Sequence, residues 1–275
     1  MAKARSKPED CLPRTSSTPQ RLPKKQEALF REVLLLLEGK RIPFTVSGAF
    51  ALKQHTGICR DTKDLDLFMS ARDASHALSC LHNHGFQIEV RDPVWLAKAH
   101  RDSYFVDLIT GMSNGVILVD ESWIKRSYLA EIVGVQTRVL APEELIASKL
   151  FVSRRERFDG ADIAHVVYGT RGKLDWNRLF RLVGEHWEML LWALLLFRYV
   201  YPAQSDYVPA KIWKDLIARL TAAVANPNVN ENFRGSLVDE LMFAIDIQEW
   251  GLKNVLDWYR KRAPKISVTS LATCA

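Results

Sequence analysis

Every segment of strand character in this 275-residue chain lies before Pro142, and the sequence from there to about residue 262 reads as helix. A chain divided in this way fits an α+β architecture, a mixed β-sheet flanked by helices and followed by a helical C-terminal domain. The strand-type runs are Phe44 to Ser47, "DLDLFM", "FQIEV", "SYFVDLIT" from 103, "GVILV" from 115 and "IVGVQTRVL" from 132, rich in Val, Ile, Tyr and Phe. Between them, "EALFREVLLLLEG" predicts a helix over Gln26 to Glu38 stopped by Gly39, and "ARDASHALSCLHNHG" a second one closed by Gly85. At Ser47-Gly48 the first strand breaks directly into a helix carrying Phe50, Ala51 and Leu52. After Pro142 four stretches follow that all read as helix: "PEELIASKLFVSRRERFDGADIAHVVYG", "WNRLFRLVGEHWEMLLWALLLFRYV", "VPAKIWKDLIARLTAAVA" and, near the end, "GSLVDELMFAIDIQEWGLKNVLDWYRKR". The implied organisation is a disordered basic tail over 1–25, a mixed domain over 26–167, a helical domain over 168–262 and a polar tail over 263–275.

Composition narrows the class. Hydrophobic residues at 48% and charged residues at 25% are the usage of a globular protein. The net charge of +6 owes much to the first 25 residues, where seven Lys or Arg face two acids, so it describes a tail more than a fold. Polyanionic partners such as NTP or RNA are compatible with it. Cys11, Cys59, Cys80 and Cys274 lack metal-ligand spacing and read as reduced thiols of a cytoplasmic protein. The N-terminus has no apolar stretch behind its charges and so is not read as a secretory signal. "MLLWALLLF" at 189–197 has about half of the roughly 20 apolar residues that a bilayer span needs. No DNA-binding motif is present, and the tryptophans Trp187, Trp192, Trp213, Trp250 and Trp258, at helical spacing, are expected in the core.

One strand carries something an apolar run does not need. In "RDTKDLDLF", Asp64 and Asp66 are two residues apart and so share one face, about 7 Å apart along the strand, while Leu65 and Leu67 share the other. Like charges held together repel, and a divalent cation such as Mg²⁺, bound through carboxylates, is the simplest remedy. Alone, the pair reads first as the solvated face of an edge strand. Asp107 is a third acid in an apolar strand, "YFVDLIT"; its alternative reading is a cross-strand or cap partner. "VSGAF" offers a small-residue turn entering a helix, where backbone N–H groups can meet phosphate, although many strand-to-helix turns use such residues for steric reasons. Arg60 and Thr62 sit at fixed offsets before the acids, placed to orient them or phosphate oxygens, or else to serve a loop salt bridge and a strand cap.

In this order, "VSGAFAL", "RDTKDLDLF" and "YFVDLI" resemble the nucleotidyltransferase superfamily of the DNA polymerase β type. The spelling Arg60-x-Thr62-x-Asp64-x-Asp66-Leu67 is most similar to the minimal bacterial branch that includes AbiEii-type toxins. "PEELIASKLFVSRRERFDGADIAHVV" extends the resemblance, Lys149 matching that branch's Lys and Asp159 or Asp162 its later Asp. The likeness spans roughly residues 42–167 and departs from the pattern at Ser47-Gly48, where many relatives have Gly-Gly or Gly-Ser, and at Lys63, which is not apolar.

The resemblance implies a nucleotidyltransferase-type sheet and metal-assisted transfer of NMP from an NTP, ATP among the candidates, to a hydroxyl of a small molecule, tRNA or protein. Asp64, Asp66 and Asp107 would be catalytic and hold Mg²⁺ or Mn²⁺. Ser47, Gly48, Arg60, Thr62, Lys149 and Asp162 would bind nucleotide, and an antitoxin partner becomes possible. "SRRERF" at 153–158 is expected as a basic helix face, from which Arg154, Arg155 and Arg157 could meet an NTP or RNA. The competing reading is a catalytically inactive module that keeps the fold for nucleotide sensing or partner binding.

Overall fold

The computed structural model describes residues 22–267. Most of the expected basic tail therefore lies outside the described residues, while Lys24 and Lys25 already belong to helix α1, Lys24–Gly39. Its buried residues Leu29, Phe30, Val33, Leu34 and Leu37 recur at helical spacing and form one stripe. Strand β1 is short, Thr45–Val46, and passes at Ser47 into α2, Gly48–Thr56. Then come β2, Asp64–Phe68; α3, Ala71–Asn83; β3, Gln87–Asp92; β4, Leu96–Arg101; and β5, Tyr104–Ile109. Helix α4, Glu121–Arg126, precedes a hairpin of β6, Tyr128–Ile132, and β7, Val135–Val139.

The seven strands form one mixed sheet in the order β3-β4-β5-β2-β1-β7-β6. β2 runs parallel to β5 and β1 parallel to β7, and the other pairs are antiparallel. On one face Leu65, Leu67, Ala97, Ala99, Val106 and Leu108 are fully buried. Helices α1 and α3 pack on that side, with Arg101 at the end of β4 paired to Glu32 of α1 at 2.8 Å. The alternate residues of β2, β4 and β5 project to the opposite side, where α2 sits against β2.

The helical part begins with α5, Pro142–Lys149, and α6, Gly160–Gly169, which pack on each other and on α2. Next come α7, Trp176–Val183; α8, Trp187–Val200; and α9, Ala210–Ala225. Three short helices follow among the described residues: α10, Gly235–Val238; α11, Ala244–Gln248; and α12, Leu256–Arg262. Among the described residues no helix is long and apolar enough to cross a membrane.

Several local expectations need correction. "GVILV" is not a strand but the return arm of a loop over 110–119, held by Met112 N–H on the Ile117 carbonyl and by one bridge between Gly111 and Leu118. "IVGVQTRVL" is two strands, because Val133 and Gly134 both take positive φ and make the tight hairpin turn that such a pair allows. "LAKAHR", not expected as a strand, is β4. "SRRERF" is not a helix face: Arg154 and Arg157 exchange backbone hydrogen bonds across a turn, and Ser153 bridges Phe158. The final helical stretch is broken at Asp239, whose carboxylate accepts the N–H groups of Leu241 and Met242, a local bond that competes with helix continuation.

Of the tryptophans expected in the core, Trp192, Trp250 and Trp258 are substantially exposed, while Trp187 and Trp213 pack against it. Within the expected polar tail, Ala263 and Ile266 are buried and the Ile266 N–H reaches the Pro93 carbonyl at 2.8 Å.

Leu67 lies at the centre of this sheet with no exposed surface. Leu67→Ala is expected to cost about 2–5 kcal/mol through lost burial and the cavity left behind. Urea denaturation should show a lower midpoint at an unchanged slope.

Candidate active site

The side chains on the α2 face of the sheet are fixed by register. Parallel pairing sets Asp66 of β2 directly beside Asp107 of β5, and antiparallel pairing sets Lys98 of β4 beside Asp107 on its other side. Lys98, Asp107 and Asp66 therefore form a row across three strands, with Asp64 two residues along β2 on the same face. One carboxylate oxygen from each of Asp64, Asp66 and Asp107 lies within 4.8 Å of the others. Burial, with the neighbouring Asp64 and Asp107 charges, pushes the Asp66 carboxyl up to about 7. Burial also raises Asp107, against the opposing hydrogen bond and charge of Lys98, whose Nζ donates to Asp107 Oδ1 at 2.6 Å.

Ser47 and Gly48 are brought to the acids by the β1–β2 pairing. The Ser47 N–H donates to the Asp66 carbonyl at 2.9 Å, so this group is committed to the sheet. Gly48 opens α2 at φ +57°, and a Cβ there would fall 1.7 Å from Asp66 Oδ2. Only glycine lets the helix start pass so close to the carboxylate. The Thr62 hydroxyl donates to Asp64 Oδ1 at 2.6 Å, with the Asp64 carbonyl 3.0 Å away, and so orients the first acid from the strand entry.

A second charged cluster closes the other side. Lys149 Nζ, at the end of α5, lies 2.8 Å from both Asp159 Oδ2 and Asp162 Oδ2, so both candidate partners engage it. Arg60 Nη2 pairs with Asp162 Oδ1 at 2.5 Å. Arg157 grips Asp159 through Nε and Nη2 at 3.0 and 3.1 Å. For Asp159, burial is outweighed by the combined hydrogen bonds and charges of Arg157 and Lys149, which hold it below the usual carboxylate range. The turn at Arg154–Arg157 is what makes this cluster possible. In a continuous helix, residues 149 and 159 would stand about 15 Å apart along the axis.

Both clusters line one cavity of about 350 Å³, which takes in Ser47, Gly48, Arg60, Thr62, the three acids, Lys149, Asp159 and Asp162. Its apolar wall includes Trp95, Met112 and Phe151, and its rim Ser113, to whose hydroxyl Arg154 Nη2 donates at 2.5 Å. All the expected site residues thus meet in one place. Lys98 and the Trp95 wall went unseen in sequence; the Leu96/Lys98/His100 alternation against Ala97 and Ala99 was the available signal for Lys98.

With this geometry in place, comparison with known proteins defines the class. The family model described as "Nucleotidyl transferase of unknown function (DUF2204)" matches residues 26–188. The chain belongs to that family and is a nucleotidyltransferase. A search of curated proteins gave no match. Among solved structures it is similar to the antibiotic-resistance factor ANT(2'')-Ia, at 15% identity over 66% of this chain and 96% of that one, with a TM-score of 0.41. It is similar also to an antigenic nucleotidyltransferase-like protein from Paracoccidioides brasiliensis, at 16% identity, 69% and 94% coverage and a TM-score of 0.45. A third likeness is to the lincosamide antibiotic adenylyltransferase LnuA, at 15% identity, 53% and 96% coverage and a TM-score of 0.37.

Two outcomes follow from this geometry. Gly48→Ala must displace either the Asp66 carboxylate or the start of α2 and adopt a positive φ; a loss of about 1–3 kcal/mol is expected in urea denaturation. The raised Asp66 gives a pH signature. Between its ordinary value of 3.8 and about 7, the unfolded chain has released a proton that the folded chain keeps, so this group's contribution to stability falls as pH rises through that window. In EDTA, Asp66→Asn is expected to flatten the decline of the melting temperature between pH 4 and 7.

Proposed function

We propose that the cavity is the site at which NMP passes from an NTP to a hydroxyl acceptor, with Asp64, Asp66 and Asp107 holding Mg²⁺, or Mn²⁺ in its place. The observation that carries this reading is the convergence of three carboxylates on one sheet face, with Asp66 driven toward protonation by burial and by the charges of Asp64 and Asp107. An all-oxygen donor set of this kind suits Mg²⁺ or Mn²⁺ rather than a thiophilic metal. When bound, the ion supplies neutralisation of the charge that develops on the transferring phosphoryl group.

The chain's own groups divide the remaining work. The acceptor oxygen forms a bond to the α-phosphorus as the bond to the pyrophosphate oxygen breaks, and the Asp107 carboxylate takes the acceptor's proton. Thr62 fixes the orientation of Asp64. The first turn of α2, beginning at Gly48, offers N–H groups that have no carbonyl of their own helix to pair with, and these together with the Ser47 side chain steady phosphate oxygens. Lys149 and Arg60, held by Asp162, contribute fixed positive charge beside the triphosphate. Catalysis on this plan rests on positioning and charge stabilisation.

The RxTxDxD spelling with Lys149 supports placing the chain in the AbiEii-like branch, with an antitoxin as partner and a tRNA, protein or small molecule as acceptor. The test is incubation with each α-labelled NTP, Mg²⁺ and separate RNA, protein and metabolite fractions. Label should enter one fraction and fall roughly 100-fold or more with Asp64→Asn or Asp107→Asn, by analogy with losing one electrostatic stabiliser. Thr62→Ala, which removes the hydroxyl's bonds to the Asp64 carboxylate and backbone, is expected to lower the rate about 10–100-fold. Absence of incorporation, together with no Mg²⁺-dependent NTP binding in calorimetry, would overturn the reading.

A further inference from the structure

The acid cluster already contains a cation of the protein's own. Lys98 Nζ sits 2.6 Å from Asp107 Oδ1, with only 22% of the lysine side chain and 12% of the aspartate side chain exposed. The ammonium also lies over the Phe105 ring, 4.2 Å from its centroid, a second contact that favours a fixed charge. Cross-strand register, not a flexible loop, puts the two residues opposite each other. Asp107 lines the cavity whereas Lys98 does not, and the ion pair that Lys98 makes is with Asp107. With all three carboxylates ionised the cluster carries three negative charges; Lys98 offsets one and leaves two, the charge of a single divalent ion. A second divalent ion would have to share Asp107 with an ammonium close beside it, and like charges at that range repel strongly.

We infer that Lys98 is a positioning residue that occupies the Asp107 end of the cluster in place of a second metal ion, so that the free protein binds one divalent ion per chain. This rests on the metal-binding reading above. It makes Asp107 asymmetric: one oxygen is tied to Lys98, and the other is left toward Asp66 and the acceptor.

The test is Mn²⁺ titration of the full chain at pH 8 without NTP, the unbound ion being read from its electron paramagnetic resonance signal. Wild type is expected to take up one Mn²⁺ per chain. Lys98→Met should take up two, a doubling that a merely structural lysine would not produce. Lys98→Arg, which restores the charge, should return the count to one. Circular dichroism melting confirms that each variant is folded, and if Lys98→Met does not fold, Lys98→Gln takes its place in the comparison. Two ions bound by wild type, or one by the neutral variants, would overturn the role of Lys98 and leave the metal site standing. No Mn²⁺ bound by wild type would overturn the metal reading itself, and this inference with it.

Discussion

The parallel pairing of β2 with β5 is the constraint on which the rest of this molecule depends. It places Asp66 beside Asp107 in the middle of a sheet, with Leu65, Leu67, Val106 and Leu108 fully buried on the other face, so neither acid can move away without breaking the ladder. A one-residue slip would turn Leu65 and Leu67 out of the core and the acids into it. The hydrophobic requirement of one face thus fixes the electrostatic problem of the other. The neighbouring residues answer that problem one by one: Thr62 donates to Asp64, Lys98 to Asp107, and position 48 gives up its side chain so that Asp66 has room.

Opposite the acids, the charges are arranged on a different principle. Lys149, Asp159 and Asp162 are nearly buried, and a buried charge is costly unless paired and hydrogen-bonded. Here each carboxylate has two cationic neighbours, Arg157 and Lys149 for Asp159, Arg60 and Lys149 for Asp162. The result is a rigid alternating array, and removing one member would leave others uncompensated. A fixed array suits the proposed task of holding highly charged phosphates in one geometry.

How much of this was legible in the sequence depended on which signal a residue carried. "DLDLF" was readable because alternation and charge coincide: two leucines face one way and two acids the other. The Ser47-Gly48 turn was readable by composition, yet the reason for Gly48, the approach of Asp66 from another strand, is a contact between distant residues. Lys98 was hidden because the inward residues of its strand are Ala97 and Ala99, too small to announce a strand by hydrophobicity. The Val133-Gly134 hairpin was hidden for the opposite reason, since apolar residues run through the turn unbroken. "SRRERF" is composed of residues that also suit a helix, and the ion pairs at Lys149, between residues distant along the chain, favour the turn. Trp192, Trp250 and Trp258 show the limit of periodicity: spacing defines a helix face but not whether that face meets a partner.

The last helix reaches back across the sequence. Arg260 of α12 holds Asp92 at 2.8 Å at the end of β3 and donates to the Ser113 carbonyl, while Arg154 holds the Ser113 hydroxyl. Gly115 in the same loop lies so close to the backbone of Tyr259 and Arg260 that a Cβ would come within 3.1 Å of it. Ser113 lines the cavity. The cavity wall at Ser113 is therefore braced by Arg260, 147 positions further along the chain, and a change in α12 would disturb that wall while the strand register that sets the acid cluster remained intact.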